Sequence, residues 1–243
     1  MLAVIRVLIL GLFIVFSFLF GVVLCIVRPF HVNNTKTLAH LYGMMSKIIG
    51  VEIEIRLPKE YSQDEAYVYV ANHQNSYDLF TVSAAVQPRT VSIGKKSLKW
   101  IPFFGQMYWL AGNILIDRSN RSRAIKTLRA AAERIKHQKL SVWLFPEGTR
   151  SYGKGLLPFK TGAFHTAAQA EVPLIAVCTS TTHKKIKLNR FNNGKVIIEL
   201  LKPYRMNAGD VANLKEVAQR FHQLMKEKIE SLDRELDASP VKG

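Results

Sequence analysis

The chain has 243 residues, 48% of them hydrophobic, and carries 34 lysines and arginines against 18 acids, a formal charge of +16. That length holds one large domain with a buried core and an appendage, and the apolar content is too low for a polytopic membrane protein. An excess of positive charge favours anionic surfaces and substrates, nucleic acid or lipid headgroups among them.

Val7 to Val27 contains no charged residue and is mostly Leu, Val, Ile and Phe. As a helix the run is roughly 30 Å long, about the thickness of a bilayer core. No small-x-small cleavage pattern follows it, since it leaves through Leu24-Cys25-Ile26-Val27 into Arg28-Pro29. We therefore expect a retained membrane-inserted helix over residues 5–27, and the membrane rather than nucleic acid as the partner of the basic charge. Cys25 lies in this run and Cys178 in an expected core strand, so the two make no disulfide framework. That usage leads us to expect the globular body in a reducing, cytoplasm-facing compartment.

Leu38, Leu41, Tyr42, Met45, Ile48 and Ile49 recur at helical spacing and predict an amphipathic helix over residues 37–49, either in the membrane interface or packed on the domain. Residues 1–50 then form the anchor and 51–243 the globular α/β domain. Val51–Leu57 alternates apolar and charged residues as a half-buried strand does, and Tyr67–Ala71 is a continuous apolar strand running into Asn72-His73. Thr90–Ile93, Ile114–Ile116, Ser141–Phe145, Leu174–Thr179 and Val196–Leu201 read as further strands. Ser119 or Asn120 caps a helix reaching Gln138, and Thr161–Ala170 forms a short one. Such alternation predicts a layered α/β domain with a largely parallel or mixed central sheet. Leu214, Val217, Phe221, Leu224 and Leu232 give a terminal helix over residues 210–236, with Glu227, Lys228, Glu230, Asp233 and Glu235 on its solvated face. The aromatic stretch Trp100–Leu110 fits a core helix behind an Ile-Pro turn, the lining of an apolar-chain channel, or an element that dips into lipid.

His73 and Asp78 stand five residues apart, roughly 140° around a regular helix, so a helix would not pair them. They meet if a strand ends at Asn72 and Asp78 opens the next helix, where its carboxylate would hold Nδ1–H and leave Nε2 free to take a proton. Spacing alone favours the plainer reading, a surface histidine and a helix-start aspartate. Three more strand ends deliver charge: Lys95 and Lys96, then Asp117 and Arg118, then Glu147-Gly148-Thr149-Arg150. Arginine offers a planar fork for a phosphate, and Glu147 either holds that fork or binds a substrate hydroxyl. Together these residues describe a pocket that activates a hydroxyl beside an anion.

Four blocks carry a resemblance. Asn72–Asp78 matches an N-H-x-x-x-x-D block, Gly112–Arg118 a second, and Phe145–Arg150 an F-P-E-G-T-R block. Val172–Ala176 is similar to a fourth, with Ala176 where that block ends in proline. In this order they resemble the glycerolipid acyltransferase family, and within it the bacterial 1-acyl-sn-glycerol-3-phosphate acyltransferases. The resemblance implies acyl transfer from acyl-CoA or acyl-acyl-carrier-protein to the sn-2 hydroxyl of lysophosphatidic acid, with no cofactor and no metal. It implies His73 as general base and Asp78 as its partner. Glu147, Gly148, Thr149 and Arg150 would form the acceptor site, with Lys95 or Lys96 and Arg118 on the phosphate. It also implies phospholipid biosynthesis at the bacterial inner membrane. A hydrolase would need a nucleophile, and no G-x-S-x-G segment occurs. A non-catalytic basic membrane protein would leave these blocks unexplained.

Overall fold

A computed structural model describes residues 1–238; residues 239–243, the end of the expected catalytic domain, lie outside the described part. The strands are β1 (Glu52–Arg56), β2 (Val68–Ala71), β3 (Thr90–Lys95), β4 (Ile114–Ile116), β5 (Ser141–Leu144), β6 (Leu174–Thr179) and β7 (Lys195–Leu200). They form one seven-stranded sheet in the order β1-β7-β6-β2-β5-β3-β4. Every pairing is parallel except β6 with β7, so the sheet is mixed. β2 is buried along its whole length because both faces are covered, as its unbroken apolar run requires.

Side chains alternate across that strand. Val68 and Val70 face a core built with helices α4 (Arg121–Gln138), α5 (Gly162–Ala170) and α7 (Leu214–Ala238), where Phe164 meets Phe221 edge-on at 5.5 Å. Tyr67, Tyr69 and Ala71 face the opposite core, with Trp143, Ile175 and Ile198. Asn120 caps α4 by accepting from Arg123 N at 2.9 Å. Edge strand β1 is lined with charge: Lys195 lies 3.1 Å from both Glu52 and Glu54. Such residues discourage edge pairing.

The terminal helix departs from expectation. Residues Ala208–Ala212 form a separate turn of helix, α6, closed by a reciprocal box between Asn207 and Asp210. The chain leaves helical geometry at Asn213, whose side chain accepts from Glu216 N at 3.3 Å and starts α7 afresh. Nor is the acidic face of α7 merely solvated. Asp233 accepts from Thr181 N at 2.7 Å, Lys228 donates to Glu199 at 2.9 Å, and Glu235 pairs with Arg56 at 2.5 Å.

At the other end, α1 (Leu2–Val27) and α2 (Asn34–Met44) pack with α3 (Phe104–Leu110) around Phe13, Cys25, Leu38, Tyr42 and Met107. The amphipathic helix thus begins three residues before, and ends five before, the stretch 37–49; short turns carry Ile49 into the core. Only Arg6, Phe13, Ser17, Gly21 and Cys25 of α1 are buried, a single stripe at about every fourth residue. Gly21 is there because a β-carbon would collide with the side chain of Met107. Arg6 clamps the start of the helix, donating to the carbonyls of Leu188 (2.9 Å), Arg190 and Phe191 (3.0 Å). The opposite ridge, including Leu8, Leu12, Phe16, Leu19 and Val23, is bare. In the aromatic stretch Met107 is buried, but Trp100, Phe103 and Trp109 are exposed, with Phe103 set against Phe18 of α1. The core-helix reading therefore holds for one face only.

Candidate active site

β2, β5, β3 and β4 are neighbours and run parallel, so their carboxyl ends share one edge of the sheet. This is where α/β sheets bind ligands. After Ala71 the chain turns, and Asn75 caps a short 3-10 turn, Ser76–Leu79, in which Asp78 is the third residue. That turn closes the five-residue gap. His73 Nδ1 lies 2.6 Å from Asp78 Oδ2, which also accepts from Gln74 N at 2.7 Å and Asn75 N at 3.3 Å. A carboxylate acceptor fixes the proton on Nδ1. Nε2 is left unbonded among the described residues and directed away from the pair. The Asp78 side chain is 3% exposed and that of His73 19%.

The imidazole is held on its face as well, stacked on Phe145 with centroids 4.1 Å apart. The segment behind it is stitched to the loop after β6. Asn72 exchanges hydrogen bonds with the backbone of Thr179, at 3.1 and 2.9 Å. Gln74 donates to the Ser180 carbonyl (2.8 Å) and accepts from Thr182 N (2.8 Å), and Asn75 donates to Thr182 Oγ1 (2.8 Å).

The loop after β5 joins the histidine to the cations. Ser151 N donates to the His73 carbonyl and Tyr152 N to that of Gln74, each at 2.9 Å. Arg118, from the end of β4, donates to the Gly148 carbonyl at 2.6 Å. Gly148 is left-handed, with φ of 72°, and Lys160 lies over it so closely that a β-carbon would stand 2.9 Å from the ammonium. Thr149 and Arg150 are exposed, and Arg150 reaches Tyr152 Oη at 3.4 Å. The two lysines part company: Lys96 lies 3.8 Å from Asp117, whereas Lys95 has no ion pair among the described residues.

Glu147 is placed otherwise than expected. It is 5% exposed, and its oxygens accept from His73 N at 2.7 Å and Leu157 N at 2.9 Å. It holds neither the Arg150 fork nor an open face for a hydroxyl; it braces the backbone of the histidine. Buried carboxylates need such partners, and these are backbone N–H groups rather than a cation. Burial lifts its carboxyl to about 7, against the pull of the two N–H donors and with help from the Asp78 charge. A raised carboxyl keeps its proton in the fold where the unfolded chain has released it. Stability therefore falls as pH rises from about 4.5 to about 7 and is level above that. The loss is about 3 kcal/mol at most. Chemical denaturation of the wild type and Glu147→Gln at pH 5 and pH 8 should show that slope in the wild type alone. A difference independent of pH would overturn it.

Sequence reasoning missed Lys160, the stacking role of Phe145 and the Thr179–Thr182 brace. Phe145 stood inside a recognised block, so its place beside His73 was open to inference. Lys160 and the threonines carry no local signal, because only sheet order brings them here.

The acyltransferase family model matches residues 52–180, which contain this whole arrangement except the outer part of the Thr179–Thr182 brace. The chain is 45% identical over 243 residues to the 1-acyl-sn-glycerol-3-phosphate acyltransferase of Salmonella typhimurium, covering 100% of this chain and 99% of that one. The enzyme of the same name from Haemophilus influenzae is 47% identical over 216 residues, 89% of this chain and 90% of that one. Among solved structures, the 1-acyl-sn-glycerophosphate acyltransferase of Thermotoga maritima superposes with a TM-score of 0.76 over 99% of this chain and 97% of its own, at 23% identity; that likeness bears on the fold. A matched core holding the paired histidine and aspartate, and relatives similar from end to end, lead to one conclusion: the chain belongs to the acyltransferase family.

Proposed function

We propose that the protein transfers an acyl group from a thioester donor, acyl-CoA or acyl-acyl-carrier-protein, to the sn-2 hydroxyl of 1-acyl-sn-glycerol-3-phosphate. The observation that carries this reading is the unbonded Nε2 of His73, its ring locked by Asp78 and Phe145, at the sheet edge that also holds Lys95, Arg118 and Arg150. Arg150, with Lys95 and Arg118, binds the acceptor phosphate, since an arginine fork suits that group. This places the sn-2 hydroxyl at Nε2, which removes its proton as the oxygen attacks the thioester carbonyl. The tetrahedral adduct collapses with loss of the thiolate, which takes the proton back from the imidazolium. The acceptor is itself the nucleophile, so no acyl-enzyme forms.

The packing of α1 supports a mode of membrane attachment. Its buried stripe is docked from Arg6 to Cys25, so the helix lies along the body instead of standing away from it. Its bare ridge, with Trp100, Phe103 and Trp109 beside it, enters one leaflet side-on. In this reading the catalytic face lies at the cytoplasmic surface of the inner membrane.

The test is an acceptor panel: lysophosphatidic acid, glycerol-3-phosphate and lysophosphatidylcholine, each with oleoyl-CoA and oleoyl-carrier protein, scored for free thiol and acylated lipid. Phosphatidic acid should form from lysophosphatidic acid at least about tenfold faster than product from the others, a margin of 1.4 kcal/mol. Thiol release without phosphatidic acid would make the protein a thioesterase and overturn the reading.

A further inference from the structure

A cleft of about 450 Å³ opens beside edge strand β4, away from the His73 site. Three elements wall it. Lys96 and Lys99 come from the 3-10 turn after β3, Leu115 and Asp117 from the end of β4, and Arg123, Lys126 and Thr127 from the first turns of α4. Four cations thus face one carboxylate. Asp117 is already shared, 3.3 Å from Arg123 and 3.8 Å from Lys96, and its other oxygen accepts from Ser119 at 2.6 Å. Lys99 and Lys126 have no ion pair among the described residues. Charges of one sign drawn into a concave surface raise the local potential and concentrate a polyanion.

We propose that this cleft binds the 3′-phosphorylated adenosine diphosphate head of an acyl-CoA donor, an inference that rests on acyl transfer at His73. Charge is the first argument: the head carries three phosphates, and the cleft has cations to spare. Size is the second, because the volume falls within the range of small-molecule pockets, and Leu115 gives the base an apolar surface. Position is the third. β4 lies three strands from β2, about 14 Å at the usual strand spacing. Both strands end at the same edge, so an extended pantetheine arm crosses from the cleft to His73. The assignment also divides the two lysines: Lys96 belongs to the donor head, and Lys95 stays with the acceptor phosphate.

Lys99→Glu/Lys126→Glu tests the cleft without touching Lys95, Arg118 or Arg150. In the full-length enzyme, KM for oleoyl-CoA should rise about tenfold or more, while KM for lysophosphatidic acid stays within twofold. The wild type should favour oleoyl-CoA over its 3′-dephospho analogue, and the variant should not. An unchanged KM for oleoyl-CoA would overturn the proposal. So would a rise seen only with oleoyl-carrier protein, which would assign the cleft to a protein partner. If the charge-reversed protein does not fold, Lys99→Gln/Lys126→Gln serves with the same readouts. Calorimetric titration with adenosine 3′,5′-bisphosphate reads the cleft independently of turnover. Binding to the wild type that the variant loses supports it, and no binding to the wild type sinks it. Binding without acyl transfer from any donor would instead count against the proposed function.

Discussion

His73→Ala is expected to lower kcat by about 10²–10⁴ while leaving the fold and lipid association intact. In the proposed mechanism the loss falls on kcat because Nε2 takes the proton only as the hydroxyl attacks. Stability should change little for a specific reason. When the imidazole is removed, Asp78 Oδ2 still accepts from Gln74 N and Asn75 N, so no buried charge is stranded. What goes is one partly exposed ring stacked on Phe145. Thiol release, phosphatidic acid formation and vesicle flotation, measured on the same preparation, check all three parts. Transfer within tenfold of the wild type would remove His73 from the role of base.

Asp78→Asn should reduce both activity and stability, and this separates it from the histidine variant. Three donors converge on Oδ2, one from the imidazole and two from the backbone of the turn. Asparagine keeps an oxygen for them but loses the charge that orients the ring and stabilises the imidazolium. In serine-protease triads the equivalent change costs about 10⁴ in kcat. Its amide nitrogen would occupy the place of Oδ1, a buried atom with no hydrogen-bond partner among the described residues. A buried donor without an acceptor costs about 1–3 kcal/mol. The melting temperature should therefore fall together with kcat. A variant that is slow but as stable as the wild type would show that the turn does not depend on this carboxylate.

The strands were legible because their signals are local. Ile114–Ile116 and Leu174–Thr179 begin and end where their apolar runs do, and Asn120 caps α4 as a side-chain acceptor before a helix should. The terminal helix was not legible in full. Its apolar spacing continues across Asn213, and the break there is set by two competing caps, a feature that periodicity does not register. Glu147 illustrates the same limit in the site. An acid near an arginine in sequence suggests an ion pair, yet the sheet order β2-β5 brings it under the His73 backbone instead. Arg6 is a third case. It reads as a flanking charge of an apolar run, and its partners lie more than 180 residues away.

The sequence by itself pointed to His73 and Asp78 as a candidate pair, and determined the basic strand ends, the apolar helix and the α/β alternation. Each depends on residue type, or on periods and turns spanning a few residues. Only the tertiary structure decided which groups hold the His73 imidazole, which lysine remains unpaired, and that α1 lies along the body. Those depend on strands crossing over and on backbone donors meeting buried carboxylates from distant parts of the chain. The His73–Asp78 contact belongs to both: a spacing no helix would close, and a capped turn that closes it to 2.6 Å.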